Sequence, residues 1–406
     1  MFNINDSTHD AQYLIDKESE VCAHNYHPIP VVLSHGKGSW LWDVMGGRYL
    51  DMMSAYSAVS LGHCNPKLTR ALYDQANKLC VPSRAFHTDK LPRFLEKLCQ
   101  VSGMDVALPM NTGAEAVETA IKAARRWGYQ VKGIPANKAE IIVADENFHG
   151  RTTTIVGFSS DEESRKDFGP YSGGFPAVPF GDAAAIEAAI NANTAAVMIE
   201  PIQGEAGIII PPDGYLKEVQ QICQKHNVLF ILDEVQSGMG RTGKWFAFEH
   251  EDAKPDGLIL GKALGGGVLA VSAFLARKDV MDVFVPGSHG STFGGNPLSA
   301  AVGLSTIMLM EEENLVARSA RQGNFLMEQL EALNHPMISE IRGRGLWVGV
   351  DLKVNGRKFC ELLAGREVLT KETREKTVRL APPFVVTQDE LRWAVTMIGE
   401  TLDEMS

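Results

Sequence analysis

Apolar and polar positions alternate in two recognisable rhythms through most of the chain. Short apolar runs at 141–144, 195–199, 228–232 and 257–260 suit strands buried on both faces. Apolar residues three and four apart predict helices over 66–79, 92–101 and 113–128. Alternation of this kind from about residue 65 to 330 implies an α/β unit, with helices on both faces of a mainly parallel sheet. Two short runs, 39–43 and 48–51, flank Met45-Gly-Gly47 and predict a hairpin. Residues 1 to about 35 carry polar clusters with Pro28 and Pro30 and read as irregular. After Pro297 the pattern is helical to about 333. Strands over 341–352 and 378–380 and a closing helix over 388–402 then predict a smaller α+β unit.

Composition narrows the classes. A chain of 406 residues suggests two or three domains at roughly 150 residues each. With 45% hydrophobic and 22% charged residues it is neither disordered nor collagen-like. The net charge of −11 gives no global attraction to nucleic acid or anionic membrane, so an anionic ligand must be met by a few local cations. Cys22, Cys64, Cys80, Cys99, Cys223 and Cys360 are scattered and form no CxxC pair, as in a reduced, intracellular protein. No apolar run approaches the ~18 residues of a membrane span, and the start lacks a signal-peptide pattern. The expectation is a cytoplasmic protein without nucleic-acid or membrane partners.

Candidate chemistry comes from three places. Asn111-Thr-Gly-Ala-Glu115 is a capping box that opens a helix. Alone it is a well-started helix. It is also a place where free N–H groups and the helix dipole favour a phosphate, with Gly113 allowing close approach. Leu229-Phe-Ile-Leu-Asp233 sets a carboxylate at the end of a buried strand, where α/β sheets gather their ligands, though Asp233 could equally cap a loop. Gly257-Leu-Ile-Leu-Gly-Lys262 does the same with a lysine. Desolvation lowers a lysine's pKa, and the neutral amine is the nucleophile of Schiff-base chemistry. A phosphate cradle, a carboxylate and a buried lysine together are what pyridoxal phosphate requires. Gly238-Met-Gly-Arg-Thr-Gly243 matches GxGxxG, but no helix opens after it, which argues against a nicotinamide site. No metal-ligand spacing is present, and His24 and His27 precede Pro28 rather than sharing a helix face.

These residues sit in longer motifs: Phe148-His-Gly-Arg-Thr152, Glu200-Pro-Ile-Gln-Gly-Glu-Ala-Gly207, Leu232-Asp-Glu-Val-Gln-Ser-Gly238, Gly261-Lys-Ala-Leu264 and Ser291-Thr-Phe-Gly-Gly-Asn-Pro297. With them the chain, from about 22 to 384, resembles the class-III aminotransferases of fold type I. The resemblance implies a large cofactor domain over 51–297 and a small α+β domain over 298–406, joined by the N-terminal segment 1–50. It implies Lys262 as Schiff-base lysine and proton shuttle, and Asp233 as partner of the pyridinium nitrogen. Gln236 would meet the ring's phenolic oxygen, Phe148 and Val235 the two ring faces, and Gly113 and Ala114 the phosphate. Thr292 would reach the phosphate of the neighbouring subunit, which makes a homodimer the expected working form, with further assembly left open.

His24-Asn-Tyr-His-Pro-Ile-Pro-Val31 and Ser54-Ala-Tyr-Ser-Ala-Val59 are more similar to the branch acting on ornithine than to those acting on acetylornithine or 4-aminobutyrate. By that resemblance Tyr26 and Arg151 would hold the α-carboxylate of ornithine, and Tyr56 would shape the pocket. Arg379 would bind 2-oxoglutarate, and Glu205 would pair with Arg379 while ornithine is bound. The expected reaction moves the δ-amine of ornithine to 2-oxoglutarate, linking arginine and proline metabolism. An N-acetylornithine or other ω-amino-acid aminotransferase is the alternative. Asn65 stands where family members often have a second histidine.

Overall fold

The computed structural model describes residues 10–406. Its centre is a seven-stranded sheet. The strands lie in the spatial order Val106–Met110, Ser272–Ala276, Gly257–Leu260, Leu229–Asp233, Thr194–Ile199, Glu140–Ala144 and Ala177–Val178. Only Ser272–Ala276 runs against its neighbours; the other strands point the same way. The apolar runs are strands because both faces are covered. Every residue of Thr194–Ile199, Leu229–Asp233 and Gly257–Leu260 is buried.

The period of two then sorts the side chains. Ile141, Val143, Met198, Ile231 and Ile259 join a cluster with Val117, Ala120, Ile121 and Trp127 of the Gly113–Trp127 helix. Their alternates, Ile142, Val197, Ile199, Phe230 and Leu258, pack with Val219 and Ile222 of the Tyr215–Lys225 helix on the opposite face.

Two four-stranded sheets complete the molecule. The expected hairpin, Trp40–Asp43 with Arg48–Asp51, pairs Trp40 with Leu50, and Val368–Leu369 adds in parallel through Val368 and Leu50. The other sheet runs Ile338–Gly343, Val348–Leu352, Thr377–Leu380, Lys371–Thr373. The chain closes with the Gln388–Glu404 helix, opened by a capping box between Thr387 and Glu390.

Several local expectations need correction. The N-terminal stretch is not irregular throughout. Ala11–Val21 is a helix whose first turn is capped by Asp10, and Leu33–Lys37 is a strand on the hairpin's edge. That helix buries no residue, so its apolar positions carry no core-facing stripe to betray it. The helical stretch after Pro297 is two helices, Pro297–Glu312 and Leu315–Leu333, broken where Asn314 takes the left-handed conformation that asparagine tolerates. The stretch 341–352 is a hairpin, not one strand. Its tip carries Gly345 at φ +57°, where a Cβ would lie 2.4 Å from the Thr242 carbonyl carbon. Asn65 has a task of its own, accepting from the Lys67 N–H at 3.0 Å to cap the Pro66–Ala76 helix.

The GxGxxG loop forms no dinucleotide turn. It buries Arg241 completely, with Nη1 donating to the carbonyls of Leu346 and Pro382, each at 2.8 Å, and Nη2 to Ser60 Oγ at 2.6 Å. Phe384 stacks under the guanidinium, 4.7 Å away. Burial pulls this arginine down to about 9. The loop, which follows the central Leu229–Asp233 strand, therefore fastens the large sheet to the 338–380 sheet.

Candidate functional site

Loops leaving the carboxyl ends of four neighbouring parallel strands meet the first turn of the Gly113–Trp127 helix. Between them lies a cavity of about 620 Å³. Gly113, Ala114, Phe148, Asp233, Val235, Gln236 and Lys262, the residues singled out around the cofactor, all line it. The helix start is built as its sequence implies. Thr112 Oγ1 accepts from the Glu115 N–H at 3.3 Å, and the Glu115 carboxylate accepts from the Thr112 N–H at 2.7 Å. Among the described residues no group accepts from the N–H of Gly113 or Ala114. They are orphan donors at a positive helix end, as an anion site needs. Gly113 fits against Val235, whose Cγ1 would lie 3.0 Å from any Cβ there.

Asp233 is buried. Its Oδ1 accepts from the Val235 N–H at 3.0 Å and its Oδ2 bonds His149 Nδ1 at 2.7 Å. Sequence reasoning did not single out His149, although it sits in the Phe148-His-Gly-Arg motif. Burial works against its charged form, but the bond to Asp233 and the charges of Asp233 and Glu200 outweigh it and raise its pKa. Among the described residues its Nε2 has no partner. The pair keeps the carboxylate fixed at the cavity wall.

Lys262 follows the Gly257–Leu260 strand with φ +43°, a left-handed conformation that an L-residue adopts at some cost and that recurs at functional positions. Burial lowers its amine below the usual 10.5, opposed by the nearby charges of Glu205, Asp233 and Glu200. Lowering favours the neutral, nucleophilic amine. Two orphan helix amides, an anchored carboxylate and a desolvated lysine around one cavity fit pyridoxal phosphate.

Glu200 is a second residue that sequence reasoning passed over. It accepts from the N–H groups of Phe148 at 3.0 Å and Gly204 at 3.2 Å, joining two cavity loops. Burial pushes it up to about 7, against the pull of His149. Its folded pKa lies above the ordinary 4.5, so the protein binds a proton here that the unfolded chain releases. The stability this contributes is complete below the unfolded value and lost as the pH rises through about 7. The denaturant midpoint of the cofactor-free protein should therefore fall between about pH 5 and about pH 8. Glu200→Gln should flatten part of that fall, the rest belonging to Glu234, which burial also pushes up to about 7, and to His149, whose raised pKa acts in the same direction. Parallel pH slopes for the two proteins would remove Glu200 from the account.

The substrate candidates surround this cavity. Arg379, on the Thr377–Leu380 strand, donates from Nη1 to Glu205 Oε1 at 2.6 Å, and its guanidinium lies 4.9 Å from the Tyr56 ring centroid. Arg379 Nε is buried without a partner. Tyr56 lies in a run of four left-handed residues, Ser54 to Ser57, and lines an apolar cavity of about 1120 Å³ with Tyr26, Ile29, Leu41 and Met53. Tyr26, largely exposed, also borders a third cavity of about 850 Å³ that holds Arg151. Arg151 stacks 5.6 Å from the Phe148 centroid. Thr292 does not line the Lys262 cavity in this chain. It lies beside a small cleft with Pro82, Arg84 and Thr88.

Residues 21–402 match the family described as aminotransferase class-III. The chain is 54% identical to an ornithine aminotransferase of Halalkalibacterium halodurans over 385 residues, covering 95% of this chain and 97% of that one. It is 55% identical to that of an Exiguobacterium species, covering 97% and 98%. Among solved structures it is similar to the ornithine aminotransferase of Toxoplasma gondii, with a TM-score of 0.96 at 40% identity over 97% of this chain and 94% of that one. That protein was described with partial occupancy of PLP at its active site. The acetylornithine aminotransferase of Elizabethkingia anophelis gives a TM-score of 0.89 at 44% identity, covering 98% and 100%.

Proposed function

The chain belongs to the class-III aminotransferase family, and from that membership we propose that it is a pyridoxal-phosphate-dependent ornithine δ-aminotransferase. It converts L-ornithine and 2-oxoglutarate into glutamate 5-semialdehyde and glutamate. The observation that carries the reading is the Arg379–Glu205 pair, held at 2.6 Å and close enough for both charges to act on the Lys262 amine. An unpaired guanidinium beside the lysine would repel an incoming diamine. Paired with Glu205 it is neutralised, and a dicarboxylate can later compete for it through a charge-assisted, bidentate contact.

Pyridoxal phosphate, when bound, supplies an aldehyde that carries the amino group and a ring that withdraws electrons from the carbon losing its proton. The chain's own residues do the rest. The Gly113 and Ala114 amides hold the phosphate at the helix end. Asp233, fixed by His149, would keep the proton on the ring nitrogen. Gln236 would meet the phenolic oxygen, and Phe148 and Val235 would confine the ring faces, all three lining the cavity. Lys262, whose amine lines the cavity, would be the group that takes up and returns the proton, as general base and then general acid. Tyr26 and Arg151 hold the α-carboxylate of ornithine, so that the δ-amine points toward Lys262. For 2-oxoglutarate, Arg379 takes the α-carboxylate and Arg151 the distal one.

The working form in this reading is a cytoplasmic homodimer. Thr292, away from its own chain's cavity, would serve the partner's phosphate. The cytoplasmic assignment is supported by six unpaired cysteines and by the absence, among the described residues, of any helix long and apolar enough to cross a membrane. Its domains would be the large one over 51–297 and the small one over 298–406, with 1–50 joined to the latter through the Val368–Leu50 pairing.

The test is a substrate panel with the carbonyl product identified. Ornithine should be preferred over N-acetylornithine and 4-aminobutyrate and give glutamate 5-semialdehyde. A preference for the acetylated amine would overturn the assignment in favour of the acetylornithine enzyme. Glu205→Ala should slow the ornithine half-reaction about tenfold, the worth of one charged hydrogen bond, and spare that with 2-oxoglutarate. Unchanged rates in both halves would remove the gate.

A further inference from the structure

The third cavity contains a charge that the ornithine mechanism leaves without a task. Its lining includes Asn25, Tyr26, Arg151, Glu163 and Phe168, and both charged side chains are exposed. Glu163 stands on the four-residue helix Glu162–Arg165, fixed by the bond from its own N–H to Asp161 Oδ1 at 3.2 Å. Among the described residues its carboxylate has no hydrogen-bond or ion-pair partner. The Arg151 guanidinium has none either, beyond its stacking on Phe148, and the two are not paired with one another. One cavity therefore offers a free anion and a free cation. Complementarity asks for a ligand end carrying both signs, which is the head of an α-amino acid.

We propose that Glu163 receives the α-ammonium of the amino donor while Arg151 receives its α-carboxylate, so that this cavity selects a free α-amino acid head. The inference rests on the ornithine reading and deepens it. It supplies the second half of the recognition that Arg151 begins and gives a physical basis for rejecting N-acetylated donors. Acylation removes the positive charge that Glu163 attracts and adds bulk beside Phe168. 2-Oxoglutarate, which brings only a carboxylate to this place, gains nothing from Glu163 and is opposed by it. The two substrates are thus sorted by sign at the far end of the site as well as at Arg379.

The experiment compares wild type with Glu163→Gln in the cofactor-loaded protein, using ornithine and N-acetylornithine as donors. 5-Aminopentanoate, which is ornithine without its α-ammonium, is run as a competitive ligand. The substitution should raise the ornithine KM about fivefold, as a solvent-facing charge pair is worth, and leave kcat unchanged. Inhibition by 5-aminopentanoate and the N-acetylornithine KM should stay as they are, while the apparent affinity for 2-oxoglutarate should hold or improve. An unchanged ornithine KM, or an equal weakening for ornithine and 5-aminopentanoate, would overturn the role of Glu163. A wild-type protein that forms no glutamate 5-semialdehyde from ornithine would instead overturn the substrate reading itself, before the variant is compared.

Discussion

Lys262→Ala should lose transamination by about a thousandfold or more, within the upper range for removing a positioned acid–base group. The side chain has no understudy. Among the described residues it is the one lysine lining the cavity with Asp233 and the Gly113 helix start, and the nearby guanidinium of Arg379 is tied to Glu205. Burial lowers the pKa of its amine and so favours the neutral form that acts as a base. Alanine leaves the phosphate cradle and Asp233 untouched, so cofactor should still bind. Borohydride should no longer fix a chromophore covalently to the chain. Activity within tenfold of wild type, or undiminished covalent trapping, would transfer the role to another residue.

Asp233→Asn should lower turnover by about a hundredfold or more, the scale for deleting one preorganised electrostatic partner in a buried site. The substitution is nearly isosteric, and the amide oxygen can still accept from the Val235 N–H. What disappears is the charge. Without it the cofactor's ring nitrogen loses the anion that keeps it protonated, and the electron sink weakens. The imidazole gives an independent readout. His149 owes its raised pKa to Asp233, so in the variant burial should dominate and its titration, followed by NMR, should move down. A large loss of activity with an unmoved His149 would mean that the carboxylate acts some other way.

Much of this arrangement is legible in the chain because it is local. A capping box states where a helix begins, and Asp233 and Lys262 announce themselves by following buried apolar runs. The hairpin at Met45-Gly-Gly47 needs only its turn. Three sheet strands are harder, and one of them, Ala177–Val178, has only two residues to show. Val106–Met110 contains Pro109, which a central strand would not accept, and it proves to be the edge strand. Ser272–Ala276 is short and follows a glycine-rich stretch that blurs its start. The long-range partners are out of reach of spacing altogether. Glu205 and Arg379 are 174 residues apart, and His149 and Asp233 are 84 apart. Family resemblance suggests the first pair; a lone histidine in the sequence gives no hint of the second. Glu163 shares a short polar run with Asp161 and Glu162, and only the fold brings it to the wall of the cavity that holds Arg151.

The buried Arg241 has a consequence for how the molecule comes apart. Its three acceptors come from a segment near the start, from the hairpin of the small sheet and from the strand end just beyond Arg379. Opening any one of them would leave a guanidinium in an apolar setting with its remaining acceptors unable to compensate. Partial opening is therefore disfavoured relative to complete unfolding. Arg241 thus ties the two sheets together energetically, and loss of any one of its acceptors is expected to be felt in both.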